Sequence, residues 1–211
     1  MYIPEHFRVE DRVAALAFMR ANPFAILISA MEEGPFATHL PVIIREADDH
    51  VLLRGHVAKA NPHWRYLQGQ PSCLMIFHGP HAYVSASNYE ARENVPTWNY
   101  GAVHAYGSAR VFSAPNELLR VLQELIPTFE SAYAEQWASL SQAYRGRMLN
   151  HIVGVEISVT KLEAKFKLSQ NRTAQEQANV MASLASSPDT TVSGTARLMQ
   201  ELGLGIKKGQ K

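Results

Sequence analysis

Val95-Pro96-Thr97-Trp98-Asn99-Tyr100-Gly101-Ala102-Val103-His104-Ala105-Tyr106-Gly107 reads as a rigid turn that runs into a strand. Proline fixes φ at the turn. Beyond it Gly101, Val103, Ala105, Gly107, Ala109 and Val111 fall on one face of a strand predicted over residues 100–112. Small side chains on that face let a second backbone or a flat ligand come close. The turn presents an indole, an amide and a hydroxyl side by side, a set that suits a planar, polar-rimmed ligand.

Strand-like pieces separated by tight turns continue on either side. Residues 24–30, 36–45 and 51–56 form a meander, with turns at Glu32-Glu33-Gly34-Pro35 and Ala47-Asp48-Asp49-His50. Pro41 removes a ladder donor and implies an edge or bulge there. Ser72–Phe77 is a continuous apolar strand, Ala82–Ser85 a short one, and His78-Gly79-Pro80-His81 reads as the turn between them. His151–Leu162 alternates, with Val153, Val155, Ile157 and Val159 on one side. Helices are predicted after Asp11 through Arg20, from Asn61-Pro62 into residue 67, over residues 115–133 and 139–150, and over 173–185. Residues 186–191 read as a polar linker and the chain's last residues as a mobile or partner-docking tail. Many short strands with helices attached argue for an α+β protein built on a β-barrel.

The 211 residues suffice for one domain with an appendage, and 46% hydrophobic content allows a real core. A net charge of +1 removes any bulk electrostatic case for nucleic acid. Cys73, alone in its kind, sits in an apolar run and reads as a buried thiol. With no signal segment and no apolar run long enough for a bilayer, the expectation is a cytoplasmic protein with no membrane association.

Enzyme templates are missing: no Gly-x-Ser-x-Gly elbow, no phosphate-binding glycine loop ending in Lys-Ser/Thr, no Gly-x-Gly-x-x-Gly turn. His78 and His81, and His56 and His63, are spaced without a supporting carboxylate or thiolate, so no protein-bound metal is expected. Lys59 precedes a helix start with Asn61 beside it, which makes either a phosphate clamp or an ordinary solvated lysine. In Lys165-Phe166-Lys167-Leu168-Ser169-Gln170-Asn171-Arg172 the cations, amide and hydroxyl suit a phosphate. The competing reading is a solvated turn with Ser169 or Asn171 capping the next helix.

Five separated motifs together resemble the PaiB family, the FMN-binding negative transcriptional regulators. They are Met1–Phe7, Ala37-Thr38-His39-Leu40-Pro41-Val42, Gly79-Pro80-His81-Ala82-Tyr83-Val84-Ser85, Val95–Tyr100 and Lys165–Arg172. The resemblance implies a split β-barrel of the pyridoxamine phosphate oxidase type, mainly antiparallel with peripheral helices, over residues 1–185. Residues 186–211 fall outside it as a flexible linker and tail. It implies FMN bound at the subunit interface of a homodimer, with strands 100–112 and 152–160 buried between subunits. Residues carried over to the cofactor are Thr38, His39, Lys59, Asn61, Ser85, Thr97, Trp98, Asn99, Lys167, Ser169, Gln170 and Arg172; Trp98 either stacks near the isoalloxazine or fills the dimer core. The functions implied are repression of transcription, with redox sensing through the flavin, or a flavin-dependent oxidoreductase, or a haem-binding or haem-degrading split-barrel protein. With no helix-turn-helix or basic stripe, DNA would have to meet an unusual surface such as Lys207, Lys208 and Lys211.

Overall fold

A computed structural model describes residues 1–47 and 50–206. The predicted turn at Asp48-Asp49 and the tail lysines Lys207, Lys208 and Lys211 lie outside the described residues. A 3₁₀ turn at Glu5–Phe7 leads into β1 (Arg8–Val9) and α1 (Arg12–Ala21), followed by β2 (Phe24–Ser29), β3 (Phe36–Pro41), β4 (Ile43–Ala47) and β5 (His50–Ala58). Then come α2 (His63–Gly69), β6 (Ser72–Val84), β7 (Thr97–Phe112) and three helices, α3 (Pro115–Phe129), α4 (Tyr133–Ser139) and α5 (Gln142–Leu149). The chain continues with β8 (Ile152–Lys167), α6 (Ala174–Ala185) and α7 (Thr190–Glu201).

Strand order along the sheet is β3-β2-β6-β7-β8-β5-β4, with β1 added on β8. The pairs β2–β3, β2–β6, β4–β5, β5–β8 and β1–β8 are antiparallel. Residues cluster into two compact units. One comprises Met1–Ala15, His78–Val103 and the chain from Glu163 onward; the other comprises Leu16–Phe77 and His104–Leu162.

In the larger unit the strand predicted over 36–45 is broken. Pro41 still pairs with Phe24 at the end of β3, the ladder stops at Val42, and β4 restarts at Ile43. The missing N–H of Pro41 ends the ladder as expected of an edge, and β3 and β4 become the two ends of the sheet path. Gly55 lies against this break: a Cβ there would sit 2.8 Å from the Pro41 carbonyl oxygen. Phe112, Leu118, Val121 and Leu149 form an apolar cluster that seats α3 and α5. Where one helix was predicted over 139–150, Leu140 is extended and Ser141 caps a new helix by accepting from Tyr144 N–H. Glu156 of β8 receives Arg54 and Arg110, and Arg110 also binds Glu117 of α3.

The small-residue face of β7 is filled from within the chain. Val103 and Ala105 are fully buried, as are Val153, Val155 and Ile157 of β8. The close approach predicted at Gly107 is made by β8: a Cβ would lie 2.4 Å from the Ser158 carbonyl oxygen. These faces are covered inside one subunit, and the exposed side chains of the two strands are others, such as Trp98, Ser108 and Ser158.

In the smaller unit two expectations change. His78-Gly79-Pro80-His81 is not a turn; β6 runs through it. The alternation of buried and outward residues slips by one between Gly79 and Ala82, as at a bulge, which is where a strand accepts proline. The slip brings the His78 and His81 rings to 4.8 Å between centroids. Residues 190–201, read as linker and tail, are the helix α7. Asp189 caps it by accepting from Thr191 N–H at 2.8 Å, and Met199, Ala196 and Thr195 are buried. Gly194 lets α7 pack on Pro80, where a Cβ would be 3.2 Å from the ring.

Gly107→Ala should destabilise the protein by about 1–3 kcal/mol, because the added methyl must push two paired strands apart. Met199→Ala should cost about 2–5 kcal/mol if α7 is docked as described. Urea unfolding reads both; a midpoint unmoved by Met199→Ala would mean that α7 is not part of the folded core.

Candidate functional site

The polar run after β8 folds around a single backbone irregularity. Ser169 has φ +66°, the only left-handed non-glycine residue among those described. Four contacts hold it. Asn99 Nδ2 donates to Ser169 Oγ at 3.0 Å, and Ser169 Oγ donates back to Asn99 Oδ1 at 3.2 Å. The Ser169 carbonyl accepts from Arg172 N–H at 3.0 Å and from Gln177 Nε2 at 3.2 Å. Gln170 braces the same loop, accepting from Leu168 N–H at 2.7 Å and donating to the Phe166 carbonyl. The helix that follows is capped by Thr173, in a reciprocal box with Glu176, and not by Ser169 or Asn171.

This reversal turns Lys167, at the end of β8, and Arg172, before α6, into one cavity of about 210 Å³. Its wall also includes Thr97 and Asn99 of β7, Ser169, Tyr89 and the N-terminal His6 and Phe7. No carboxylate lines it among the described residues. Lys167 donates to Thr97 Oγ1 and to the Trp98 carbonyl. Burial holds its ammonium below the ordinary lysine range, and the charges of Lys165 and Arg172 push the same way. Lys165 donates to the Tyr2 carbonyl at 3.2 Å and lies over the Tyr100 ring. The Arg172 guanidinium stacks 3.9 Å above the centroid of Tyr89 and donates to Asn94 Oδ1 at 2.7 Å. Among the described residues none of these three cations is paired with a carboxylate. The Tyr89 hydroxyl is buried and has no hydrogen-bond partner among the described residues.

The chemistry of this wall suits an anion. The Lys167 ammonium, the Arg172 guanidinium and the Thr97 hydroxyl match a phosphate, with the charge of Lys165 close behind. The volume is below the ~300–1,000 Å³ usual for whole drug-sized ligands, so it suits a charged head group and not a three-ring system. By charge, the residues present fit the phosphate end of FMN.

Of the twelve carried-over positions, the structure brings Thr97, Asn99, Lys167, Ser169 and Arg172 together. Gln170 supports their loop from behind. Trp98, next in β7, lies outside the cavity wall and is 53% exposed, beside His81 at 6.0 Å and Tyr83 at 6.1 Å between ring centroids. Ser85 caps a 3₁₀ turn by accepting from Ser87 N–H. The other four belong to the larger unit. Thr38 Oγ1 meets Asn61 Nδ2 at 3.1 Å and His63 Nδ1 at 2.8 Å, and His63 Nε2 meets Ser29 Oγ at 2.9 Å. His63 is fully buried, and burial lowers its pKa. Asn61 Oδ1 also accepts from His63 N–H at 3.0 Å, while the N-cap position of α2 is held by Pro62, one residue later than predicted and without a side-chain cap. His39 stacks on Phe24, and Lys59 extends into solvent. Sequence reasoning missed Tyr89, His6, Phe7 and Asn171; Tyr89 reaches the site by stacking with a residue far along the chain, which no local pattern signals. No cluster of three or more His, Cys, Asp or Glu side chains able to hold a metal is present among the described residues.

Known proteins resemble this chain in sequence and in fold. Residues 1–161 match the family model described as "Putative FMN-binding domain". The chain is 37% identical over 203 residues to "Protease synthase and sporulation protein PAI 2" of Bacillus subtilis, covering 95% of this chain and 97% of that protein. Among solved structures it resembles the flavocytochrome Anf3 of Azotobacter vinelandii, with a TM-score of 0.61 and 18% identity over 78% of this chain and 72% of that one. It also resembles the FAD and heme binding protein of Mycobacterium smegmatis, with a TM-score of 0.60 and 13% identity over 81% and 78% of the two chains. These two likenesses establish the fold, a split barrel of the pyridoxamine phosphate oxidase type. The chain belongs to the PaiB family of FMN-binding proteins.

Proposed function

We propose that this protein is a regulator of transcription that responds to redox state through bound FMN, with the flavin phosphate seated in the cationic cavity. The observation that carries the placement is the pair Lys167 and Arg172 in the cavity wall, with Lys165 near enough to act on Lys167 and no carboxylate partner for any of the three among the described residues. Bound flavin supplies the two-electron redox chemistry; the chain's part is to hold and orient it. The one cysteine supports assigning redox sensitivity to the cofactor. Burial pushes the Cys73 thiol up to about 12, so the reactive thiolate is scarce at neutral pH. The regulatory half of the reading rests on kinship with a Bacillus protein whose name joins protease synthesis and sporulation. A homodimer with one flavin per subunit is the assembly proposed for this state.

A flavin-dependent oxidoreductase is the second reading. It is favoured by the exposed row of rings His78, His81, Trp98 and Tyr83, which offers a planar reactant a stacking surface. The two readings part in one pair of assays. A regulator binds DNA from upstream of its target genes with a steep salt dependence that changes between oxidised and reduced flavin. An oxidoreductase consumes reduced nicotinamide with an acceptor and shows no DNA selectivity.

Lys167→Ala and Arg172→Ala should each weaken FMN binding roughly ten- to a hundredfold, the loss of a charge-assisted contact of about 1.5–3 kcal/mol. Fluorescence titration of the flavin-free protein reads this, and unchanged affinity in both variants would remove the phosphate from this cavity.

The lowered Lys167 value sets a pH dependence. A lysine whose folded-state pKa is depressed leaves more protons on the unfolded chain, so the flavin-free protein should gain stability as pH rises from that lowered value towards 10.5. A phosphate dianion favours the ammonium, so FMN affinity should run the other way and fall over the same window. Riboflavin, without the phosphate, should show no such fall; matching profiles for the two flavins would contradict the assignment.

A further inference from the structure

His78 and His81 stand three residues apart on β6, and on a regular strand residues at that spacing point to opposite faces. Here both rings reach the surface, His78 exposed and His81 half-buried, because the inward residues are Phe77 and Gly79 before the slip and Ala82 and Val84 after it. β6 is an interior strand, between β2 and β7, where proline is tolerated only at a bulge. Bulges re-aim side chains, and this one brings the two imidazoles to 4.8 Å between centroids. α7 holds it in place by packing Gly194 against the Pro80 ring. His81 Nδ1 meets the Gly79 carbonyl at 3.4 Å; a carbonyl only accepts, so Nδ1 carries the proton and Nε2 keeps its lone pair. A hydrogen bond from the other ring nitrogen is the usual companion of a metal-binding histidine. Asp189, the N-cap of α7, lies close enough to His81 for their charges to interact. None of these side chains lines the cationic cavity.

We infer that His78 and His81 form a two-imidazole site for a divalent transition cation of the zinc, nickel and copper class. A ring bound through one nitrogen at ~2.0–2.1 Å has its centroid about 3.2 Å from the metal. Two centroids 4.8 Å apart then subtend roughly 100° at the metal, between the right angle of octahedral and the wider angle of tetrahedral coordination. Imidazole pairs suit these metals, whereas magnesium and calcium take oxygen ligands. No third His, Cys, Asp or Glu side chain completes the set among the described residues, so the other positions fall to water or to the donors of a small ligand. Two neutral ligands leave the cation its full charge, and the exposed Trp98 indole lies 6.0 Å from His81 between ring centroids. The site therefore suits an anionic, planar ligand that coordinates the metal and stacks on the indole. Spacing alone offered no metal site here; the bulge does.

The test titrates the full chain, free of any affinity tag, with zinc, nickel and magnesium chlorides by calorimetry at pH 7.5. His78→Gln and His81→Gln each remove one ligand from the surface, and His151→Gln, an exposed histidine of the larger unit, is the control. Zinc and nickel should bind at about one cation per chain and magnesium should not bind. Each of His78→Gln and His81→Gln should lose about tenfold or more in affinity, the double variant should be little worse than either single one, and His151→Gln should match the wild type. Nickel should quench tryptophan emission in the wild type, and Trp98→Phe should remove the quenched part. Thermal unfolding of every variant without metal should match the wild type, and zinc should raise the unfolding temperature of the wild type but not of the two ligand variants. Wild-type affinity in either His78→Gln or His81→Gln would overturn the site, since one imidazole would then suffice. One cation per two chains would overturn it in favour of a metal bridging copies. Weak binding of several cations, unchanged in all three histidine variants, would mean an adventitious ion only and would also overturn it.

Discussion

The buried hydrogen bonds between Asn99 and Ser169 are what the site depends on. They join β7 to the reversal after β8, and Ser169 occupies a left-handed conformation that an L-residue adopts at a cost of roughly 1–3 kcal/mol. The surroundings over-determine that conformation through the Ser169 carbonyl, Gln170 and Gln177. Without the reversal, Lys167 would continue along a strand and Arg172 would start a helix elsewhere. With it, two cations meet across about 210 Å³. Strain in the backbone and like-charge repulsion in the side chains are both tolerated at one place, a combination that binding sites share.

The larger unit shows the opposite use of polar groups. Ser29, His63, Thr38 and Asn61 form a chain of short hydrogen bonds around a fully buried imidazole. Burial disfavours the charged form of that imidazole, and each ring nitrogen has a hydroxyl partner. A satisfied buried network fixes a fold. The cavity of the smaller unit is built from comparable residue types but leaves its charges and one phenol unanswered. The difference between a network that is complete and one that needs a ligand separates structure from function here better than residue identity does.

That distinction explains what could be read in the sequence. Local rules carried far. Asp11 caps α1 through Val13 N–H, Pro41 ends a ladder, and the alternation in residues 151–162 marks a strand. The cations of Lys165–Arg172 were visible as a polar run, and the resemblance of five motifs pointed to flavin. Non-local matters were not visible. The bulge that carries β6 through Gly79-Pro80 is stabilised in part by α7, and α7 looked like a linker because its few apolar residues, Met199 among them, are sparse and spread between threonines and serines. Tyr89 joined the site through a stack with Arg172, a contact between residues 83 positions apart in the chain that no spacing rule can predict.

The C-terminal helices therefore belong to the site. Gln177 of α6 holds the Ser169 and Arg172 carbonyls and also accepts from Gly205 N–H at 2.8 Å, while the Met199 sulfur of α7 lies 3.6 Å from Asn99 Nδ2. Glu176, the one buried carboxylate of α6, is occupied by the N–H groups of Thr173 and Glu90, which keeps its charge committed to the backbone and away from the cations. The stretch matched by the FMN-binding family model ends at residue 161, whereas Lys167, Ser169 and Arg172, with Gln170 and Gln177 that brace their loop, follow it. The barrel strands set the floor of the cavity at Thr97 and Asn99. The segment after the matched stretch supplies its charge and the shape that concentrates it, so under the proposed phosphate placement residues 165–199 would carry most of the selectivity for an anion.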